Sequence, residues 1–257
     1  NPDNLSRTRG VRSVSGERPD QRPGTQDAMI ATETLKPGSL HPMVQPSRPK
    51  ALDLYCCAGG AAMGLHRAGY DVTGVDIVPQ PNYPFAFQLG NALDADLSGY
   101  DFVWASPPCQ AHTPLKHRTG KDYECFIERT RAKLEAWGGP WIMENVMGAP
   151  LRNPVMLCGA MFPPLRVYRH RIFESNIKLE VPEHPRHVVP VAPQRQRKAH
   201  YAAGRFLTVT GDVGRYAGEA MGIDWMTGNE MSQAIPPVYA EYLARQTLRV
   251  TARLNIQ

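Results

Sequence analysis

The sequence predicts an α/β fold, a mixed and mostly parallel sheet with helices on both faces. Three observations lead there. From Ala51 onward, short apolar runs alternate with segments of helical period. Glycine and proline close those runs, as at Gly59-Gly60, Pro107-Pro108 and Gly138-Gly139-Pro140. The chemically unusual residues fall at the ends of the runs, where open α/β sheets bind ligands.

The elements follow in order. Ala51–Cys56 is an apolar run with one acid, a first strand, and Ala61–Ala68 reads as a helix stopped by Gly69. Asp71–Ile77 is a second strand and Asp101–Ala105 a third. Tyr123–Trp137 has helical period, and Trp141–Val146 is a further strand. Ile235–Arg249 is expected to be a helix that starts after Pro236-Pro237 and packs back near the first strand.

Residues 1–50 differ in character. They are rich in Arg, Pro, Ser and Gly and carry eight basic against five acidic residues. A disordered extension is expected there, with a basic arm for nucleic acid as the alternative. The whole chain of 257 residues has a formal charge of +5, with 42% hydrophobic and 21% charged residues. That is globular composition, long enough for a sizeable core, and it permits nucleic acid as a partner without requiring one. No apolar run approaches a membrane span, and no secretory signal is evident, so a cytoplasmic setting is expected. Five cysteines without a Cys-x-x-Cys pair argue against a disulfide framework or a structural zinc site, and no metal is expected.

Asp53-Leu54-Tyr55-Cys56-Cys57-Ala58-Gly59-Gly60 runs from a strand into small residues and then a helix. Such a turn lets a ligand approach the backbone closely. Asp76 ends the next strand, where an acid can accept hydrogen bonds from two ribose hydroxyls. A nucleoside or nucleotide is the implied ligand, with mere packing as the plain alternative. Ser106-Pro107-Pro108-Cys109-Gln110 holds a thiol on a stiff turn, a candidate nucleophile. The other four cysteines read as inert. Glu144-Asn145-Val146 follows an apolar strand, and a Glu buried there has to be paired or functional. In Tyr168-Arg169-His170-Arg171-Ile172-Phe173, read as a strand, Arg169 and Arg171 project together and can steady an electron-rich ring or a phosphate.

These motifs, in this order over about residues 51–245, resemble the cytosine-C5 DNA methyltransferases, in the compact form found in actinobacterial phages and their hosts. Arg205-Phe206-Leu207-Thr208 resembles the family's late motif. Met221–Trp225 followed by Ser232–Pro237 resembles its C-terminal motif. The resemblance implies a Rossmann-like fold and S-adenosylmethionine as cofactor, bound by Asp53, Tyr55, Cys56, Cys57, Ala58, Gly59, Gly60, Asp76, Ile77, Asn91, Ala92, Leu93, Pro107, Ser232, Gln233 and Ala234. It implies Cys109 as nucleophile toward C6 of a flipped cytosine, Glu144 on the base, and Arg169 and Arg171 beside them. Double-stranded DNA is the implied partner, and a monomer the family default. Gln110, with Lys116, His117, Arg118 and Lys121 of a mobile loop over 111–121, and Arg186, Arg195, Arg197, Lys198 and Arg205 would meet it.

By the same resemblance, 51–173 is the catalytic methyltransferase domain and 174–210 a reduced target-recognition region. Residues 211–257 then carry the C-terminal motif and helix. Residues 184–210 contain no acid, and so little recognition material implies a short or loose target. The pattern is also broken in places. Cys57 stands where the family usually has glycine, Asn91 replaces an acid, and Ser232-Gln233 aligns with the family's Gly-Asn, with the nearby Gly228-Asn229 as the rival alignment. Alternative readings are a tRNA methyltransferase of the same fold, a silenced DNA-binding relative, and a nicotinamide-dependent dehydrogenase. The last leaves the Pro-Cys and Glu-Asn-Val motifs unexplained.

Overall fold

The four apolar runs become adjacent strands, and their side chains alternate between two cores. In the computed structural model, which describes residues 47–112, 123–192, 197–209 and 214–254, the strands are β1 (Lys50–Leu54), β2 (Asp71–Asp76), β3 (Ala86–Leu89), β4 (Phe102–Ala105), β5 (Trp141–Asn145), β6 (Val155–Leu157) and β7 (Arg171–Ser175). The helices are α1 (Gly60–Ala68), α2 (Ile127–Trp137), α3 (Arg197–Ala202), α4 (Gly214–Met221), α5 (Gly228–Gln233) and α6 (Pro237–Leu254). Residues 46–257 form one compact unit. The expected N-terminal extension lies outside the described residues except for 47–50. Of these, Lys50 already belongs to β1, and Arg48 donates from Nε to the Gly69 carbonyl at the end of α1.

The seven strands lie in the order β3-β2-β1-β4-β5-β7-β6. β1 to β5 pair in parallel, and β7 runs antiparallel to both β5 and β6. In β4, Phe102 and Trp104 face one core while Val103 and Ala105 face the other. Strands buried on both faces read as continuous apolar runs rather than as alternation, which is why these were legible. Leu65 of α1 and Tyr239 and Leu243 of α6 cover the first face. Ile127 and Leu134 of α2 cover the second.

Several expectations shift. The second helix starts at Ile127, not Tyr123. Tyr168, Arg169 and His170 precede β7, which begins at Arg171. The premise that Arg169 and Arg171 project together from one strand therefore fails. β3 and β6 were not foreseen. β3 is a mostly exposed edge strand and β6 has three residues, so neither carries a period long enough to read. Ser175 and Glu174 belong to the central sheet, so the irregular region begins after them. Its own apolar contacts are small clusters such as Ala192, Tyr201, Leu207 and Ala220.

A buried ion pair ties β7 to α2. Arg131 Nε donates to Glu174 Oε1 at 2.6 Å and its terminal nitrogen to Oε2 at 2.7 Å. On the opposite face, α1 and α6 meet at a glycine. A Cβ placed on Gly64 would lie 2.7 Å from the Glu241 backbone nitrogen, closer than real Cβ contacts permit. Gly64→Leu is expected to destabilise the fold by about 1–3 kcal/mol through forced separation of these helices. Urea unfolding would read this as a lowered midpoint; an unchanged midpoint would contradict the close packing.

Candidate active site

Strand order reverses between β1 and β4, and the crevice at that reversal is a cleft of about 470 Å³. The turn after β1 shapes one wall. Tyr55, Cys57 and Gly59 all adopt positive φ, at 59°, 44° and 85°. Gly59 does so freely, whereas Tyr55 and Cys57 are held there by their surroundings. The Cys57 amide donates to Asp76 Oδ2 at 2.9 Å, and the Val78 amide donates to Asp76 Oδ1 at 3.0 Å. The turn at the substituted position is thus built around Cys57 and braced by the acid that ends β2. The Cys57 thiol reaches Gln233 Oε1 at 3.8 Å, so two departures from the family pattern touch each other. Burial pushes that thiol up to about 12.

Asp53 is 1% exposed and lines the same cleft. Burial holds its carboxyl well above the usual range; the Ala62 amide opposes this only in part, and neither oxygen completes a hydrogen bond. An orphaned buried carboxyl facing a cleft suits a ligand that brings a cation or donors. Tyr55 lines the cleft as well, with its hydroxyl 2.9 Å from that of Thr130 on α2. Phe126 stands nearby in the lining. Asn91 lines the cleft, but its amide group is engaged locally. Its Oδ1 accepts from the Leu93 amide at 3.0 Å and its Nδ2 donates to Asp94 at 3.0 Å.

The far wall carries the reactive groups. Glu144 is 7% exposed near the end of β5. Arg171 Nε meets Glu144 Oε1 at 2.8 Å. Burial raises the Glu144 carboxyl, opposed by Arg171, Arg169 and a hydrogen bond from Ser106. Ser106 Oγ itself accepts from the Trp104 ring nitrogen at 3.0 Å. Asn145 donates from Nδ2 to the Pro107 carbonyl at 2.9 Å and so fastens the Pro-Pro-Cys turn to β5. Cys109 is half-buried on that turn. Burial and the Glu144 charge push its thiol up, while Arg171 pulls it down.

Of the sequence-derived cofactor residues, the cleft gathers Asp53, Tyr55, Cys56, Cys57, Ala58, Gly60, Asp76, Ile77, Asn91, Ala92, Pro107, Ser232, Gln233 and Ala234; Gly59 and Leu93 stay outside the lining. Cys109, Glu144, Arg171 and Gln110 join them. Arg169 does not. Its guanidinium is buried and donates to the Val209 and Ser232 carbonyls at 2.8 and 2.7 Å, which makes it a strut to the end of α5 and the segment at Val209. Arg186 and Lys198 are exposed and Arg205 half-buried, all outside the cleft lining. Lys116, His117, Arg118, Lys121, Arg195 and the Arg197 side chain lie outside the described residues. Sequence reasoning missed Ser106 and Phe126, and it missed the Trp225 ring nitrogen donating to the Ala58 carbonyl at 2.8 Å. Ser106 was within reach, as the residue opening the Pro-Pro-Cys turn. Phe126 had no signal beyond its helix start.

The thiol's surroundings give a signed prediction. In a Cys125→Ser background, Glu144→Gln is expected to lower the pH at which Cys109 becomes alkylated, and Arg171→Ala to raise it. Peptide-mapped alkylation rates against pH check this; shifts of the opposite sign would mean these charges do not face the thiol.

No protein-family model and no curated protein sequence matches the chain. Solved structures do. A protein described as a DNA modification methyltransferase, encoded within an Escherichia coli prophage, superposes with a TM-score of 0.57 at 11% identity, covering 80% of this chain and 99% of its own. The Dnmt2 methyltransferase of Schizosaccharomyces pombe gives 0.51 at 13% identity, covering 79% and 99%. At such identity the likeness speaks for architecture. The chain has the Rossmann-like α/β fold of these methyltransferases, as the ordered motifs led one to expect.

Proposed function

We propose that this chain is an S-adenosylmethionine-dependent cytosine-C5 methyltransferase acting on double-stranded DNA. The observation that carries the reading is the convergence of Cys109, Glu144 and Arg171 on one cleft with the strand-end acids Asp53 and Asp76. Both fold neighbours are methyltransferases by description, and the first is described as a DNA modification enzyme.

The residues present fit the cofactor. Asp53 offers unpaired buried oxygens to an ammonium or hydroxyl donor, and Asp76 ends β2 at the distance along the fold where a ribose is held. Tyr55 and Phe126 offer aromatic faces to an adenine. S-adenosylmethionine, when bound, supplies an electrophilic methyl group on sulfur.

The chain's own residues do the rest. The Cys109 thiolate adds to C6 of a cytosine drawn out of the stack, and the displaced ring electrons make C5 nucleophilic. Glu144, raised by burial, holds a proton at N3 and accepts from the exocyclic amine, which lets the ring take up those electrons. Arg171 holds the Glu144 carboxyl in place and adds positive charge beside the anionic substrate. After C5 is methylated, a base removes the C5 proton and the electron pair expels Cys109 as thiolate, restoring the double bond. Asn145 keeps the thiol in register through Pro107. The exposed Arg186 and Lys198, in a stretch without acids, supply phosphate contacts.

The purified protein, given labelled S-adenosylmethionine with duplex DNA or tRNA, is expected to yield 5-methyldeoxycytidine from DNA by nucleoside mass spectrometry. Cys109→Ala is expected to lose transfer by several orders of magnitude while still binding cofactor. Label confined to tRNA would move the substrate to RNA, and full activity in Cys109→Ala would overturn the covalent route. The double variant Arg186→Ala with Lys198→Ala is expected to flatten the salt dependence of DNA binding by about one to two contacts. An unchanged slope would make these residues bystanders.

A further inference from the structure

Away from the cleft, four side chains from three separate segments aim at one point. They are Cys158, just after β6; His170, just before β7; and His184 and His187, in the loop that follows β7. Their ligand atoms all lie within 4.8 Å of one another. Cys158 Sγ and His187 Nε2 are 3.3 Å apart, His187 Nε2 and His184 Nε2 3.2 Å, and His184 Nε2 and His170 Nε2 3.2 Å. We infer that Cys158, His170, His184 and His187 form a structural zinc site that anchors the reduced recognition loop to the catalytic sheet.

The spacing carries the argument. A tetrahedral zinc with N at roughly 2.0–2.1 Å and S at roughly 2.3 Å sets its ligand atoms about 3.3–3.6 Å apart. The three separations of 3.2–3.3 Å sit at that scale, and the remaining pairs lie within 4.8 Å. Four ligands leave no open position, the mark of a structural rather than a catalytic zinc. A purely hydrogen-bonded cluster is a poorer account. Each Nε2 carries either one proton or one lone pair, yet His184 and His187 each face two partners, so both have to share one. A metal takes up all four lone pairs at once.

The surroundings agree. The ring of Tyr168 stacks on His187 with centroids 3.8 Å apart. His170 is hydrogen-bonded to the Tyr168 backbone, the kind of outer partner that fixes a ligand ring. The Ala160 amide hydrogen-bonds to the buried Cys158 sulfur. The loop itself buries little apolar surface, for Val181, Val188 and Val191 are 37%, 80% and 39% exposed. A segment with so small a core needs a tether of another kind. The sequence argument against zinc rested on the missing Cys-x-x-Cys pair, and it fails for a site assembled from three distant segments.

The chain, purified without chelator, is expected to carry about one zinc per molecule by elemental analysis. Replacement by cobalt is expected to give the visible bands of four-coordinate cobalt and a near-ultraviolet thiolate band. Cys158→Ser should remove the thiolate band, and His184→Ala should weaken metal binding at least about 100-fold. Cys125→Ser should change neither. Stripping the zinc should open residues 176–192 to limited proteolysis. A metal-free wild-type protein that fails to take up zinc, a six-coordinate cobalt spectrum, or a thiolate band that survives Cys158→Ser would each overturn the site. The wild-type measurements decide the question even if a variant does not fold.

Discussion

The carboxylate of Glu144, set in the interior near the end of β5, is the constraint around which one wall of the cleft is arranged. An unpaired charge there would be costly, so the fold has to bring a cation and donors to it. Sheet register does this. Ala105 at the end of β4 pairs with Met143, and the antiparallel β7 places Ile172 opposite Asn145. The residues just beyond those pairs are Ser106 on one side and Arg171 on the other, and both hydrogen-bond to Glu144. An antiparallel seventh strand is what lets an arginine at a strand's start meet an acid at its neighbour's end. The same register gives Asn145 its bond to Pro107, so the thiol-bearing turn is fixed by the residue next to the buried acid.

The opposite wall answers to a different constraint, the reversal of strand order at β1. The turn leaving β1 has to clear the crevice and start α1 within a few residues. It does so with three left-handed residues, two of which carry side chains. Strain at Tyr55 and Cys57 is held by the Asp76 bond, the Tyr55–Thr130 bond and the bond from Trp225 to Ala58. α1 is in turn pinned to α6 through Gly64, so the C-terminal segment completes the wall from behind. Cys57 and Gln233 meet across this wall.

Much of this was legible because it is written in continuous residues. Buried parallel strands announce themselves as apolar runs, and residues at or soon after the end of a run line the crevice; hence Asp76, Cys109 and Glu144 could be placed beside it. Arg169 could not. Period-two alternation assigned it to a strand with Arg171, but the strand begins two residues later, at Arg171, and Arg169 turns to the Val209 and Ser232 carbonyls instead. Ser106 looked like part of a turn, since only the fold brings Trp104 and Glu144 to its hydroxyl. The cluster of Cys158 with three histidines left no trace in spacing, because its members lie on either side of a strand and come together only when β7 forms.

That cluster adjoins the wall built around Glu144. The segment Tyr168–Arg171 serves three neighbours at once. Tyr168 stacks on His187 and exchanges hydrogen bonds with the Val189 backbone, His170 faces the cysteine–histidine cluster, and Arg171 opens β7 against Glu144. Arg169 between them ties the segment at Val209 to Ser232 of α5. The loop after β7 is therefore linked to the Glu144 carboxylate through four consecutive residues, each of which has a named partner. This short path joins the packing of the loop after β7 and the Arg171–Glu144 pair through one piece of backbone.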